Sequence, residues 1–179
     1  MHKDIEKILF DRETIAKRVK ELGEQVTKDY KDKDLVCICL LKGGVLFLTD
    51  LIKEIDLDLE IDFMDVSSYG GASTVSSGEV RILKDLDASV KDRDLLIVED
   101  IIDTGITLSR VVELLKSRGA RSIEIISFLN KPDRRKIDMD VKYVGYEIPD
   151  YFVVGYGLDF NEKYRNLPYV GYLKEELYR

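Results

Sequence analysis

Apolar residues along this chain recur in two rhythms, short unbroken runs and helical spacings, and their alternation sets the architecture. Ile5 to Phe10 reads as a short strand or extended arm, and Asp11 as the N-cap of a helix over about 12 to 30. Within that helix Ile15, Val19, Leu22 and Val26 step by four, three and four, which gives one apolar stripe. Leu35 to Leu41 reads as a fully buried strand, Gly43-Gly44 as a turn, and Val45 to Ile55 as a helix. A further strand near 59 to 66 runs into small and polar residues that continue to Gly78, the composition of a flexible loop. Leu95 to Val98, a helix near 106 to 118 ending at Gly119, and a strand over Ser122 to Phe128 repeat the strand-turn-helix unit. After Lys131-Pro132 the chain becomes charged and then gives a strand near Val141 to Tyr146. The irregular run from Glu147 to Glu162, rich in aromatics and glycine, reads as a cover over a site, and Tyr169 to Arg179 as a short strand and a terminal helix turn.

Apolar runs alternating with helices define an α/β fold: a mainly parallel central sheet flanked by helices, with ligands at the carboxyl ends of the strands. The length of 179 residues suits one domain with a substantial core, and no internal repeat or low-complexity tract is present. Composition, at 45% hydrophobic and 35% charged, is that of an ordinary globular protein, with no apolar stretch of bilayer-spanning length. The start, Met-His-Lys-Asp-Ile-Glu, lacks the apolar run of a secretory signal, so a cytoplasmic location is expected. A net charge of −7 argues against nucleic-acid binding and leaves open small polyanions held by local cations and backbone amides. Cys37 and Cys39 share one face of a strand and read as small core residues, not as a disulfide or a zinc site. The lone histidine, His2, lies in a terminus expected to be mobile, so the proton acceptor of any reaction must be Asp, Glu or Lys.

Candidate chemistry concentrates at 95 to 108, where an apolar run meets Glu99, Asp100 and Asp103 before a turn of Thr104 and Gly105 opens a helix carrying Thr107. Free N–H groups, two hydroxyls and the positive end of a helix dipole suit a phosphate monoester. Carboxylates beside that phosphate need something between them, such as a diol or a divalent cation, and a ribose 5-phosphate supplies both phosphate and diol. N-cap chemistry alone explains one of the three acids. Leu41-Lys42-Gly43-Gly44 offers a second amide cradle at the same sheet edge. Neither G-x-x-x-x-G-K-[ST] nor G-x-G-x-x-G occurs, which removes the P-loop and dinucleotide readings.

The run V-E-D-I-I-D-T-G-I-T-L at 98 to 108 resembles the phosphoribosyl diphosphate loop of the type I phosphoribosyltransferases, and E-D-I-I-D-T-G more narrowly their 6-oxopurine (hypoxanthine-guanine) branch. The resemblance extends from about Leu35 to Arg165 through four motifs in order. It implies that fold, with a small hood contributed by about 1–10 and 147–179, and transfer of phosphoribosyl from 5-phosphoribosyl 1-diphosphate to N9 of hypoxanthine or guanine. Glu99 and Asp100 would hold the ribose hydroxyls and Mg²⁺, Asp159 a second Mg²⁺-linked position, and Asp103 would accept the purine proton at N7. Thr104, Gly105, Ile106 and Thr107 would bind the 5-phosphate, although some relatives carry lysine where Ile106 stands. Lys42 and Gly43 match the pyrophosphate loop, whose peptide before the lysine is expected cis in the diphosphate-bound form; Arg165 matches a pyrophosphate-binding arginine. Lys131 would donate to the purine O6, Phe152 would stack on the base, and the Val153 backbone would read its edge. Ser68 and Tyr69 match the start of a lid that shields an oxocarbenium-like centre from water. Assembly as a homodimer or homotetramer follows from relatives only. Two alternatives stand beside this reading: a xanthine-preferring transferase, and a non-catalytic sensor of the sugar diphosphate.

Overall fold

A computed structural model describes residues 1–68 and 80–178. Strand β1 (Ile5–Phe10) leads to α1 (Arg12–Asp29), where Asp11 caps the helix by accepting the Thr14 N–H at 2.8 Å. Then follow β2 (Leu35–Leu40), α2 (Val45–Leu51), β3 (Glu60–Ser68), β4 (Val80–Lys84), β5 (Asp94–Ile102), α3 (Ile106–Ser117) and β6 (Ser122–Asn130). The chain closes with β7 (Tyr143–Glu147), β8 (Val153–Val154) and β9 (Val170–Leu173).

Six strands form the main sheet in the order β4-β3-β2-β5-β6-β7, parallel throughout except for β4, which runs antiparallel to β3. Period-two alternation distributes β2 and β5 between two layers. Leu35, Cys37, Cys39, Leu96 and Val98 pack beneath α1 and α2, whereas Val36, Ile38, Leu40, Leu95 and Ile97 pack beneath α3. The apolar stripe of α1 is buried as its spacing predicts, through Ile15, Val19, Leu22 and Val26. Both cysteines are free and wholly buried, and burial pushes their thiols up to about 12. The outermost strand β7 is bound by α1: Arg18 donates to the carbonyls of Gly145 and Val144 at 2.9 and 2.8 Å, which occupies part of an otherwise open edge.

A second, three-stranded sheet of order β1-β9-β8 joins the two terminal segments around Ile5, Val154 and Leu173. Several expectations are corrected by the structure. α2 stops at Leu51 and tightens into a 3-10 turn, Ile52–Glu54, so the helix is shorter than its apolar run. β5 continues beyond Val98 through both acids to Ile102, held by pairing of Ile101 and Ile102 with Leu129 and Asn130 of β6. β4 carries no turn signal and is added by pairing with β3. His2 is held in place, its N–H donating to the Tyr169 hydroxyl at 2.8 Å and its ring edge-on to Tyr164.

Candidate active site

Strand order reverses between β2 and β5: β3 and β4 lie to one side, β6 and β7 to the other. The loops leaving β2 and β5 therefore diverge at their carboxyl ends, and the crevice between them is where such a sheet binds ligands. The Lys42 loop leaves β2, the Asp103–Thr107 loop leaves β5, and the Lys131 loop leaves β6, which places three sequence-distant motifs at one edge.

Successive strand positions face opposite ways, which separates the adjacent acids. Glu99 lines a cavity of about 170 Å³ together with Ile101, Asp103, Thr104, Gly105 and Thr107. Asp100 instead lies against the β2 loop: a Cβ on Gly43 would stand 1.8 Å from its Oδ2. Only glycine tolerates that approach. Burial, reinforced by the Asp100 charge, pushes the Glu99 carboxyl well above its usual range. Burial likewise raises Asp100 to about 6, against the opposing effect of the Ile101 N–H, which donates to Oδ1 at 2.8 Å. Two half-buried carboxylates with so few donors make a site that favours a cation or a hydroxyl donor.

The Asp103–Thr107 loop turns through Gly105 at φ +80° and enters α3 with no side-chain cap. Among the described residues the N–H groups of Gly105 and Thr107 meet no protein acceptor, and both residues line the cavity at the positive end of the helix dipole.

The Leu41–Lys42 peptide is cis. Lys42 Nζ is 2.8 Å from Glu162 Oε2, and Arg165 is 3.3 Å from Glu162 Oε1 and 2.9 Å from Asp159 Oδ1. Arg165 also donates to the Gly157 carbonyl at 2.8 Å, and a Cβ on Gly157 would stand 2.0 Å from the Gly43 carbonyl. The segment from Gly155 to Arg165 thus leans directly on the β2 loop. Arg165 Nε is covered and has no acceptor among the described residues.

On the β6 side Lys131 is buried, and its ammonium donates to Asp150 Oδ1 at 3.2 Å. Asp150 also accepts from Arg134, whose Nε lies 2.8 Å from Asp103 Oδ1. Burial opposes ionisation of Asp150, and the hydrogen bonds from Lys131 and Arg134 outweigh it, holding the carboxyl below its ordinary value. Asp103 Oδ1 is covered yet receives no directed hydrogen bond despite the adjacent guanidinium. Phe152 stacks on Tyr178 at 4.9 Å and meets Phe160 edge-on; Val153 pairs with Tyr172 in the small sheet.

Of the residues singled out from sequence, Glu99, Asp103, Thr104, Gly105 and Thr107 share one cavity, Lys42, Asp159 and Arg165 are linked through Glu162 beside Gly43 and Asp100, and Phe152 packs apart from both in the small-sheet cluster. Glu99, Asp100 and Asp159 do not form a ready-made cage: among the described residues no three His, Cys, Asp or Glu side chains converge on a metal position. That donor set fits Mg²⁺ shared with a bound diphosphate, since this ion takes one or two carboxylates plus phosphate oxygens and water more readily than an all-protein cage. Ser68 closes β3, and Tyr69 with the rest of the expected lid lies outside the described residues. Sequence reading missed Arg134, Asp150 and Glu162. Their charges stood in the chain as K-P-D-R-R, I-P-D-Y and D-F-N-E, but nothing in that order shows which partner each meets.

The family model of the phosphoribosyl transferase domain matches residues 6–161, which take in the acids of β5, the turn into α3 and the glycine-lysine loop after β2, and the chain belongs to this family. Among its relatives, the hypoxanthine-guanine phosphoribosyltransferase of Staphylococcus epidermidis is 58% identical over 178 residues, 99% of each chain. The crystal structure of a hypoxanthine phosphoribosyltransferase from Staphylococcus aureus superposes with a TM-score of 0.96 at 57% identity, covering 100% of this chain and 97% of that one. A hypoxanthine-guanine phosphoribosyltransferase from Bacillus anthracis gives 0.89 at 39% identity, covering 96% and 98%.

Proposed function

We propose that this protein is a purine-salvage transferase that moves the 5-phosphoribosyl group from 5-phospho-α-D-ribose 1-diphosphate to N9 of hypoxanthine or guanine, yielding IMP or GMP and diphosphate. The observation that carries the reading is the junction of β5 and α3. There Glu99 and Asp103 line a cavity with the unpaired amides of Gly105 and Thr107, in a chain 58% identical to a hypoxanthine-guanine phosphoribosyltransferase. The xanthine-preferring and sensor alternatives are not favoured by these relatives.

In this reading the amides and hydroxyls of Thr104–Thr107 hold the 5-phosphate, needing no side chain from Ile106. Glu99 and Asp100 accept the ribose hydroxyls. The Lys42 loop and Arg165 bind the diphosphate and stabilise it as it leaves. Asp100 and Asp159 would hold Mg²⁺ together with the diphosphate, and the ion would supply charge neutralisation there. The C1–O bond to diphosphate breaks ahead of formation of the C1–N9 bond, and the N7 proton of the base passes to Asp103, whose Oδ1 lacks a directed donor. Lys131 donates to O6 and Phe152 stacks on the ring, with Val153 beside it reading the base edge. The small sheet of β1, β9 and β8 serves as the hood over this base site, the chain forming one catalytic domain. The lid beginning at Ser68 and Tyr69, a cytoplasmic location and assembly as a homodimer or homotetramer belong to the same reading.

A spectrophotometric assay with the sugar diphosphate, Mg²⁺ and each of hypoxanthine, guanine, xanthine and adenine tests it. Turnover of the first two bases is expected. Binding of the sugar diphosphate without turnover of any base would restore the sensor.

A further inference from the structure

Four charged side chains beside the crevice form a continuous chain: Asp103, Arg134, Asp150 and Lys131. Resting on the roles proposed above for Lys131 and Asp103, we infer that Asp150 is a positioning residue that sets the O6 donor and the proton acceptor relative to each other.

Lys131 is 8% exposed, and an ammonium in that position requires a counter-charge. Among the described residues Asp150 supplies the one hydrogen bond that Lys131 Nζ makes, at 3.2 Å, which leaves two of the three ammonium donors for an incoming acceptor. Both oxygens of the same carboxylate also accept from Arg134 Nη1, at 3.2 Å each. Arg134 in turn stands 2.8 Å from Asp103 without directing an N–H at the covered Oδ1, so it fixes a positive charge beside the acceptor.

Backbone contacts explain why Asp150 can do this from nineteen residues away in sequence. The Ile148 N–H donates to the Asn130 carbonyl at 2.9 Å, which docks the 148–150 segment beside the end of β6. Lys131 N–H donates to the Ile102 carbonyl at 3.0 Å, and Lys136 N–H to the Thr104 carbonyl at 3.0 Å. The loop carrying Lys131 and Arg134 is thereby tied to the loop carrying Asp103. Asp150 is the point at which both cations meet.

The test is a double-mutant cycle in steady-state kinetics on the full chain, with hypoxanthine varied and the sugar diphosphate and Mg²⁺ saturating. Asp150→Asn is expected to raise KM for hypoxanthine about tenfold, the cost of misplacing one charge-assisted hydrogen bond, with KM for the sugar diphosphate unchanged. In a Lys131→Ala background the same substitution should add nothing to the base KM, because the group it positions is gone. Asp150→Glu should restore most of the wild-type value, and Arg134→Gln should lower kcat while leaving the base KM close to normal. A merely structural role would move all of these parameters together with thermal stability. If Lys131→Ala raises the base KM and Asp150→Asn does not, or if the two effects multiply independently, the inference is overturned and the proposed function stands. If Lys131→Ala itself leaves the base KM unchanged, the assignment of Lys131 fails and the inference falls with it. Should Asp150→Asn fold poorly, Asp150→Glu and Arg134→Gln decide the matter: a base KM raised as much by Arg134→Gln as by loss of Lys131 would sink it.

Discussion

The two walls of the crevice are built by different physics. The wall from β5 to α3 is made of backbone: free N–H groups, a left-handed glycine and a helix dipole, with two acids set by strand alternation. The opposite wall, from Lys131 to Arg165, is made of side chains joined by ion pairs across three to 120 residues, Arg165 to Glu162 at one extreme and Lys42 to Glu162 at the other. A backbone wall is fixed by local sequence and tolerates little change, whereas a side-chain wall distributes its task and yields by degrees. Substitutions on the two walls should therefore differ in both size and kind.

The sharpest contrast is expected at the join. Asp103→Asn removes the proposed proton acceptor and should lower kcat by roughly 10²-fold or more while nucleotide binding stays largely intact. Single-turnover rates and IMP affinity measure the two separately, and near-normal turnover would take Asp103 out of the role. Gly43→Ala comes next. Its methyl group would overlap Asp100, and displacing that carboxylate by about 1 Å should reduce kcat/KM for the sugar diphosphate by up to about 10²-fold. An activity within twofold of wild type would show the β2 loop to be as yielding as the opposite wall.

A smaller effect separates the walls by pH. Burial pushes the Asp100 carboxyl up to about 6 from 3.8, so it costs no stability below the lower value, progressively more between the two, and a constant amount above the upper one. Glu99 is shifted in the same direction. Mg²⁺ with diphosphate should relieve that cost, raising Tm clearly at about pH 7.5 and much less at about pH 5. Thermal melts with and without Mg²⁺ at both pH values measure it, and equal shifts would detach these acids from the cation. The least effect is expected for Glu162→Gln. Its ion pairs with Lys42 and Arg165 leave Glu162 in solvent, where such pairs are weakened by water and salt, so KM for the sugar diphosphate should change less than about fivefold. A larger change would mean that Glu162 competes with the diphosphate for its cations.

Legibility followed the same division. The α1 stripe, the buried β2 run and the strand-turn-helix corner at Glu99 to Thr107 are local patterns, and the structure forms each of them with minor changes in length. β4 was invisible because an exposed edge strand needs only a partner, and β3 supplies one. The turns after β8 were equally opaque. Tyr156, Asn161, Glu162 and Tyr164 all adopt positive φ there, a conformation that no residue type announces and that packing against the β2 loop and the small sheet must impose. Resemblance to known motifs carried Lys131, Asp159 and Arg165 into the reading, but it could not supply Arg134, Asp150 or Glu162, whose meaning lies in their partners.

One feature of the core has a practical consequence. Cys37 and Cys39 sit side by side in the central strand with no solvent contact and thiols held protonated far above neutrality. Alkylating reagents and mild oxidants should leave the folded enzyme untouched. The rate at which a maleimide captures these two sulfurs then becomes an intrinsic clock for opening of the whole sheet, readable by mass spectrometry without a label or an engineered probe.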